Sequence, residues 1–71
     1  MIISYNKLWK LLIDKKMTKT DLRRLSGIST ASVAKLGRGD NITTDILIKI
    51  CETLDCDITD IMELEQIDTN G

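Results

Sequence analysis

Apolar residues recur at helical spacing in successive stretches of the chain, and the first stretch covers residues 5–16. Its apolar positions are Tyr5, Leu8, Trp9, Leu11, Leu12 and Ile13. They span an arc of roughly 200° on a helical wheel, which is wider than the ~100° stripe of an ordinary surface helix. We expect the leucines and Tyr5 to form core. Trp9 and Ile13 lie at one margin, where they either broaden the core or contact another chain.

The next stretch, residues 17–39, has the signals of two short helices joined by a tight turn. Thr18 and Asp21 form a capping pair, which predicts the start of a helix that turns Leu22 and Leu25 inward. Gly27 predicts the end of that helix, because glycine adopts the left-handed backbone conformation at little cost. The pattern is typical of a helix-turn-helix, although an ordinary pair of core helices would share its spacing.

The second helix of this motif is predicted over residues 29–37. Ile28 fills the corner before it, Ser29 caps it, and Val33 and Leu36 are expected to be buried. Its predicted outward face carries small or short polar side chains and one long cation: Thr30, Ala31, Ala34 and Lys35, with Ser32 near the edge. Such a face can approach the edge of a base pair closely, which a bulkier or more acidic face could not.

Two further helices are predicted beyond this motif. The fourth helix is capped by Thr43 or Thr44 and runs to residue 53 or 54. Asp57 and Asp60 predict the start of a short fifth helix, whose apolar residues are Ile58, Ile61, Met62 and Leu64. A small domain can bury so many apolar residues only with difficulty, so we expect this helix to form a two-fold contact with a second copy of the chain. The apolar lead over residues 1–4 either covers the core or pairs as a strand with a partner copy.

Length and composition favour a single all-α domain. The chain has 71 residues, no proline, 42% hydrophobic and 30% charged residues, a mixture that suits a compact helical domain better than a sheet. We assign residues 1–66 to this domain and residues 67–71 to a short polar tail. Because the sequence has neither an apolar run of roughly 20 residues nor a signal peptide, we expect a cytoplasmic protein with no membrane contact.

The charged residues are divided unequally between the two halves of the chain. Residues 1–39 hold nine basic and two acidic side chains, a balance of +7, whereas residues 40–71 hold one basic and nine acidic side chains, a balance of −8. A chain with a net charge of −1 can therefore still present a basic face. Because the basic half contains the predicted helix-turn-helix, we favour a functional basic face over scattered surface charge.

Residue types that would carry catalysis or bind a cofactor are scarce. The chain has no histidine, and its two cysteines, Cys51 and Cys56, cannot complete a four-ligand zinc site without carboxylates. Five residues apart at a helix exit, they also make a poor disulfide, and we interpret both as small core residues. There is no phosphate-binding glycine loop and no activated nucleophile, so we predict no enzymatic activity, no cofactor and no small-molecule ligand.

Three groups of residues resemble the small bacterial and phage regulators of the Cro and lambda-repressor type, also called Xre-like. They are Met17-Thr18 with Leu22; Gly27-Ile28-Ser29 with Val33, Lys35-Leu36 and Gly39; and Leu47, Lys49-Ile50, Leu54, Cys56, Ile58 and Asp60-Ile61. The resemblance extends over residues 5–64. It implies a compact five-helix lambda-repressor-like fold, whose second and third helices form the helix-turn-helix and whose third helix lies in the DNA major groove.

The resemblance also implies a set of DNA-binding residues: Lys19, Ser29, Thr30, Ala31, Ser32, Lys35, Arg38, Asn41 and Thr44. Lys19 matches a position near a phosphate, and the two serines match positions that touch the DNA backbone. Thr30, Ala31 and Lys35 match positions that face base edges, where the ammonium can address guanine and the alanine a thymine methyl group. Arg38, Asn41 and Thr44 match positions that flank phosphates further along the DNA.

Three residues depart from the family pattern. Arg23 stands where the family usually has alanine, and Ser26 replaces a more apolar residue just before the turn. We expect the Arg23 stem to lie along the surface with its guanidinium outside, unless the two helices splay slightly. Asp40 stands where many relatives have a cation, which weakens the expected grip on phosphate.

The sequence therefore predicts a sequence-specific transcriptional regulator, a repressor that binds a pseudo-palindromic operator in double-stranded DNA as a homodimer. It leaves the setting open between a phage, a restriction-modification system and a toxin–antitoxin pair. The alternative is a protein–protein interaction module that reuses this fold, with Trp9, Ile13 and the fifth helix as its contact surface. DNA binding would weaken steeply as salt rises, whereas apolar docking would not.

Overall fold

The computed structural model describes residues 1–66, in which four α-helices are followed by one turn of 3₁₀ helix and flanked by two short strands. In chain order the elements are β1 (Ile2–Ser4), α1 (Asn6–Asp14), α2 (Lys19–Ser26), α3 (Thr30–Arg38), α4 (Thr44–Leu54), the 3₁₀ turn (Ile58–Asp60) and β2 (Glu63–Glu65). The two strands pair in antiparallel orientation, with Ile3 opposite Leu64. The predicted polar tail, residues 67–71, lies outside the described residues.

One hydrophobic core joins all four helices to Ile61, which directly follows the 3₁₀ turn. Its buried members are Tyr5, Leu8, Leu12, Leu22, Ile28, Leu36, Leu47, Ile50, Leu54 and Ile61. The predicted burial on α1 and α3 is confirmed at Leu8, Leu12 and Leu36, while Leu11 and Val33 are half-buried against the same core. Among residues 1–66, none of the helices has the length and apolar character that crossing a membrane requires.

The fourth helix confirms the prediction that threonine caps it. The Thr43 hydroxyl accepts a hydrogen bond from the Ile46 N–H at 3.4 Å, and the helix ends at Leu54. Asp55 follows in the left-handed conformation, with φ of 52°, which lets the Cys56 N–H reach the carbonyl of Cys51 at 3.0 Å. Such a left-handed cap satisfies a carbonyl that the helix end would otherwise leave unpaired.

The predicted fifth helix is wrong. The Asp57–Asp60 capping box does form, with the Asp60 carboxylate accepting from the Asp57 N–H at 3.0 Å. The element nevertheless ends after one 3₁₀ turn, and the chain then extends into β2. Ile61 alone of the predicted apolar face is fully buried, whereas Leu64 is 65% exposed. In β2 the backbone groups hydrogen-bond to β1. In a helix of so few residues, the hydrogen bonds within the helix would be only marginally stable.

The N-terminal lead, for which two placements were predicted, pairs with β2 of its own chain. Ile3 is half-buried against the core, while Ile2 remains 48% exposed. The fold is therefore mostly helical, as the all-α assignment predicted, with a small two-stranded sheet that this assignment did not include. The sheet closes the domain by joining the two ends of the described chain.

Leu25 on α2 was predicted to face inward, and this prediction is wrong because the side chain is 61% exposed. The half-buried position one turn after Leu22 belongs instead to Ser26. The Ser26 hydroxyl donates a hydrogen bond of 2.6 Å to the carbonyl of Leu22 and so has a partner inside the helix. Ile28, 5% exposed, then supplies the apolar contact that Leu25 does not make.

Both cysteines are free thiols, half-buried and packed against the core, as their assignment to small core positions predicted. Burial raises the pKa of Cys56 to about 11, and the neighbouring Cys51 sulfur adds to this effect. Burial also raises the pKa of Cys51. At neutral pH both side chains are therefore protonated and behave as small apolar groups.

Candidate nucleic-acid interface

The corner between α2 and α3 is built from local signals that hold both helices in place. Thr18 and Asp21 form a reciprocal capping box, with hydrogen bonds of 3.1 Å and 3.0 Å between backbone N–H groups and side-chain oxygens. Gly27 ends α2 in the left-handed conformation, with φ of 77°. A side chain at this position would be strained, so the glycine fixes the turn. Buried Ile28 then anchors the corner to the core.

Helix α3 begins at a serine cap and presents its predicted outward face to solvent. The Ser29 hydroxyl accepts from the Ser32 N–H at 3.1 Å, and Gly39 ends the helix with φ of 74°. The exposed residues of the helix include Thr30, Ala31, Ala34, Lys35 and Arg38. Because Leu36 on the opposite side is 1% exposed, the helix is fixed by its buried stripe while its other face stays open.

Ser32, predicted at the edge of the outward face, is buried instead. It is 8% exposed, and its hydroxyl lies 3.0 Å from that of Ser29. The two serines form a small hydrogen-bonded cluster within the first turn of α3, so the Ser32 hydroxyl already has a partner. Its role in the structure is to support the cap, and we do not include it among the groups that face outward.

The candidate DNA-binding residues at the end of α3 and beyond it are exposed but not equally free. The Arg38 Nε donates to the Asp40 carboxylate at 2.9 Å, so this carboxylate competes with phosphate for the guanidinium. Both side chains are largely exposed, and such a surface pair is weak enough to open. Asn41 and Thr44 are exposed on the loop and at the start of α4. The predicted effect of Asp40 thus has a specific physical form, an ion pair with Arg38.

Lys19 occupies the first turn of α2, where its ammonium stacks on a tryptophan from another helix. Its Nζ lies 4.5 Å from the centroid of the Trp9 ring, within the range of a cation–π contact. Trp9 is half-buried and packed against the core, so of the two margin residues of α1 it broadens the core. Ile13, the other one, is 73% exposed.

The capping box also affects the electrostatics of this surface. The Thr18 N–H and hydroxyl lower the pKa of the Asp21 carboxyl, and nearby Arg24 contributes to the same shift. Arg24 contacts this carboxylate at 3.0 Å. The carboxylate is therefore charged at neutral pH and is occupied by its own helix. Among the residues described, no three carboxylate, thiol or imidazole side chains converge to hold a metal ion.

Sequence reasoning missed two features of this surface. The Trp9–Lys19 stack joins residues ten positions apart on different helices, and only the crossing of α1 and α2 brings them together. Nothing in the spacing could have indicated it. The burial of Ser32 has a detectable signal, since a serine three residues after a serine cap can hydrogen-bond to it.

A capped, two-helix corner that exposes one helix of a compact helical domain defines a helix-turn-helix protein. The chain belongs to the family of Cro/C1-type HTH DNA-binding domains, whose profile matches residues 7–66. This confirms the resemblance found in the sequence. The family match accounts for the helix-turn-helix and extends through the 3₁₀ turn and β2.

A solved structure supports the same conclusion. The crystal structure of the transcriptional regulator VanUg, form II, is similar to this chain at 50% sequence identity and a TM-score of 0.86. The match covers 92% of this chain and 88% of that one. A comparison with curated proteins found no match.

Proposed function

We propose that this protein is a sequence-specific transcriptional regulator that reads the major groove of DNA with α3. The observation that carries the proposal is the outward face of α3, on which Thr30, Ala31 and Lys35 are exposed. These side chains are short enough to let the helix enter the groove, and the single ammonium can address the O6 and N7 acceptors of guanine. Ala31 supplies an apolar contact to a thymine methyl group.

The placement of charge supports this orientation on DNA. The half of the chain that contains α2 and α3 carries a balance of +7, and the other half carries −8. Lys19, Ser29, Arg38, Asn41 and Thr44 surround the outward face of α3 and are all exposed. Lys19 and Arg38 provide ammonium and guanidinium groups for phosphates, and the other three provide neutral hydrogen bonds that position the protein without reading sequence.

Selection of bound sites from random duplex DNA tests the proposal directly. We expect the wild-type protein to enrich one motif, and Lys35→Ala to lose preference at a guanine, a loss of about 1–3 kcal/mol in discrimination. Thr30→Ala should alter a neighbouring position. Lys49→Ala, which removes an exposed cation from α4, is the matched control and should enrich the wild-type motif. If no motif is enriched, or if all variants enrich it equally, α3 does not read bases.

We further propose that the protein acts as a homodimer on a pseudo-palindromic operator and represses by occluding the promoter. A two-fold dimer places its two α3 helices in successive major grooves, so half-sites should lie about 10–10.5 base pairs apart. Sedimentation of the protein with the selected duplex should give two chains per site. A selected motif without inverted symmetry, bound by one chain, would contradict the dimer.

A second candidate function, protein–protein interaction, is favoured by apolar side chains outside the helix-turn-helix. Ile48 is 52% exposed and borders a groove of about 380 Å³ that Cys51, Cys56 and Ile58 also line. Such a patch is typical of a contact surface. The salt dependence of the affinity distinguishes the two functions. The affinity for DNA, which involves several phosphates, falls steeply as the salt concentration rises, whereas the affinity of apolar docking does not.

A further inference from the structure

The contact between Trp9 and Lys19 links α1 to the first turn of α2. The Lys19 Nζ lies 4.5 Å from the Trp9 ring centroid. The ring is half-buried and packed against the hydrophobic core, so it is a fixed platform, whereas a lysine on an open surface would sample many rotamers. The contact therefore restricts an otherwise flexible cation.

Helix α3 forms the other side of this position. The Lys19 Nζ lies 3.9 Å from the point that a Cβ on Gly37 would occupy, which is ordinary van der Waals contact. The ammonium thus lies close both to the indole ring and to Gly37 in the last turn of α3. The cation–π contact with α1 and this proximity to α3 therefore place the ammonium near the end of α3.

We propose that Trp9 is a positioning residue for DNA binding: it holds the Lys19 ammonium where a phosphate meets the start of α2. This inference rests on the proposed function, since it assumes that DNA lies against α3. A cation held in place before binding loses less conformational entropy when it meets a phosphate than a free lysine does. Trp9 therefore increases affinity without touching DNA and without reading sequence.

The test compares the affinities of Trp9→Leu, Lys19→Ala and the double variant for a duplex that carries the selected site. Trp9→Leu should weaken binding by about two- to fivefold, the range that an exposed cation–π contact supports. The same change in the Lys19→Ala background should have almost no effect, because there is no ammonium left to position. Equal losses in both backgrounds would mean that Trp9 acts through the fold, which overturns the proposal.

Salt dependence and a conservative variant separate positioning from simple loss of structure. Lys19→Ala should reduce the slope of log affinity against log salt by about 0.9, whereas Trp9→Leu keeps the charge and should leave the slope unchanged. Trp9→Phe keeps a ring and the packing, so its affinity should lie between those of the wild type and Trp9→Leu. If Trp9→Leu does not fold, Trp9→Phe with and without Lys19→Ala gives the same comparison.

Exposed Ile13 on the same helix provides the matched control, and Ile13→Ala should bind DNA as the wild type does. A wild-type affinity for Trp9→Leu at the selected site contradicts the positioning role alone. A wild-type protein that binds neither the selected site nor random duplex overturns both this inference and the proposed function. The two failures are therefore distinguishable.

Discussion

The chain contains a capping box in each half, and the two boxes lead to different structures. In the basic half, Thr18 and Asp21 start α2, which runs for eight residues. In the acidic half, Asp57 and Asp60 start a single 3₁₀ turn of three residues. The hydrogen bonds of the two boxes are similar in length, so the difference arises from the residues that follow them.

The length of each element depends on the parts of the fold that it packs against or pairs with. Helix α2 packs against α3 and α4, and its left-handed glycine gives it a defined end at the corner. After the 3₁₀ turn, Ile61 enters the core, and the next residues pair with β1. A capping box thus determines where an element begins, whereas tertiary contacts determine how long it is.

The largest expected effect is the loss of stability on shortening Ile61, the core residue that follows the 3₁₀ turn. Ile61 is fully buried, so Ile61→Ala should lower the free energy of unfolding by about 2–5 kcal/mol through lost burial and a cavity. Leu64→Ala is the matched control from the strand that follows, because Leu64 is 65% exposed. It should change stability by less than about 0.5 kcal/mol. Urea unfolding measures both, and a large loss for Leu64→Ala would mean that β2 has a partner in solution.

A smaller effect is expected from removing each cap. Thr18→Ala should lower the free energy of unfolding by about 1 kcal/mol, because the Asp21 N–H at the start of α2 loses the hydroxyl that accepts its hydrogen bond. Asp57→Ala should cost less, since only one turn depends on this cap. Thermal unfolding of both variants tests the order. An Asp57→Ala variant that is the less stable of the two would reverse it.

The smallest effect is the response of the α2 cap to acid. The pKa of Asp21 is lowered in the folded protein from its ordinary value of 3.8. The folded state therefore binds this proton less readily than the unfolded state, and the carboxylate stabilises the fold above the ordinary pKa. That contribution is lost as pH falls through the lowered pKa.

The acid response can be measured as the change in melting temperature between pH 6 and pH 3. Wild-type protein should lose more stability over this interval than Asp21→Asn, which has no charge at position 21 to lose. Equal losses for wild type and Asp21→Asn would contradict the role of this carboxylate.

The helix-turn-helix could be predicted from the sequence because its signals are local. A capping residue and its partner lie within one turn, as at Thr18 and Asp21, and each glycine in the left-handed conformation acts at its own position. Gly27 and Gly39 both end helices with positive φ, and the sequence predicted this end at Gly27. The exposed face of α3 followed from the same periodicity.

The closing strand could not be predicted in the same way, because its partner lies at the other end of the chain. Glu63–Glu65 and Ile2–Ser4 are each only three residues long, too short to show a reliable alternation. Leu25 illustrates another limit, since helical spacing cannot tell an inward leucine from an exposed one on an eight-residue helix. The Trp9–Lys19 contact required the crossing of two helices.

We propose that the basic half of the chain meets DNA through α3. Amide chemical shifts of the ¹⁵N-labelled protein, followed while a duplex of about 20 base pairs is added, test this most directly. We expect the largest changes at Thr30, Ala31 and Lys35 and at the start of α2, with little change in the 3₁₀ turn and β2. Changes concentrated in residues 40–66, with α3 unaffected, would contradict it.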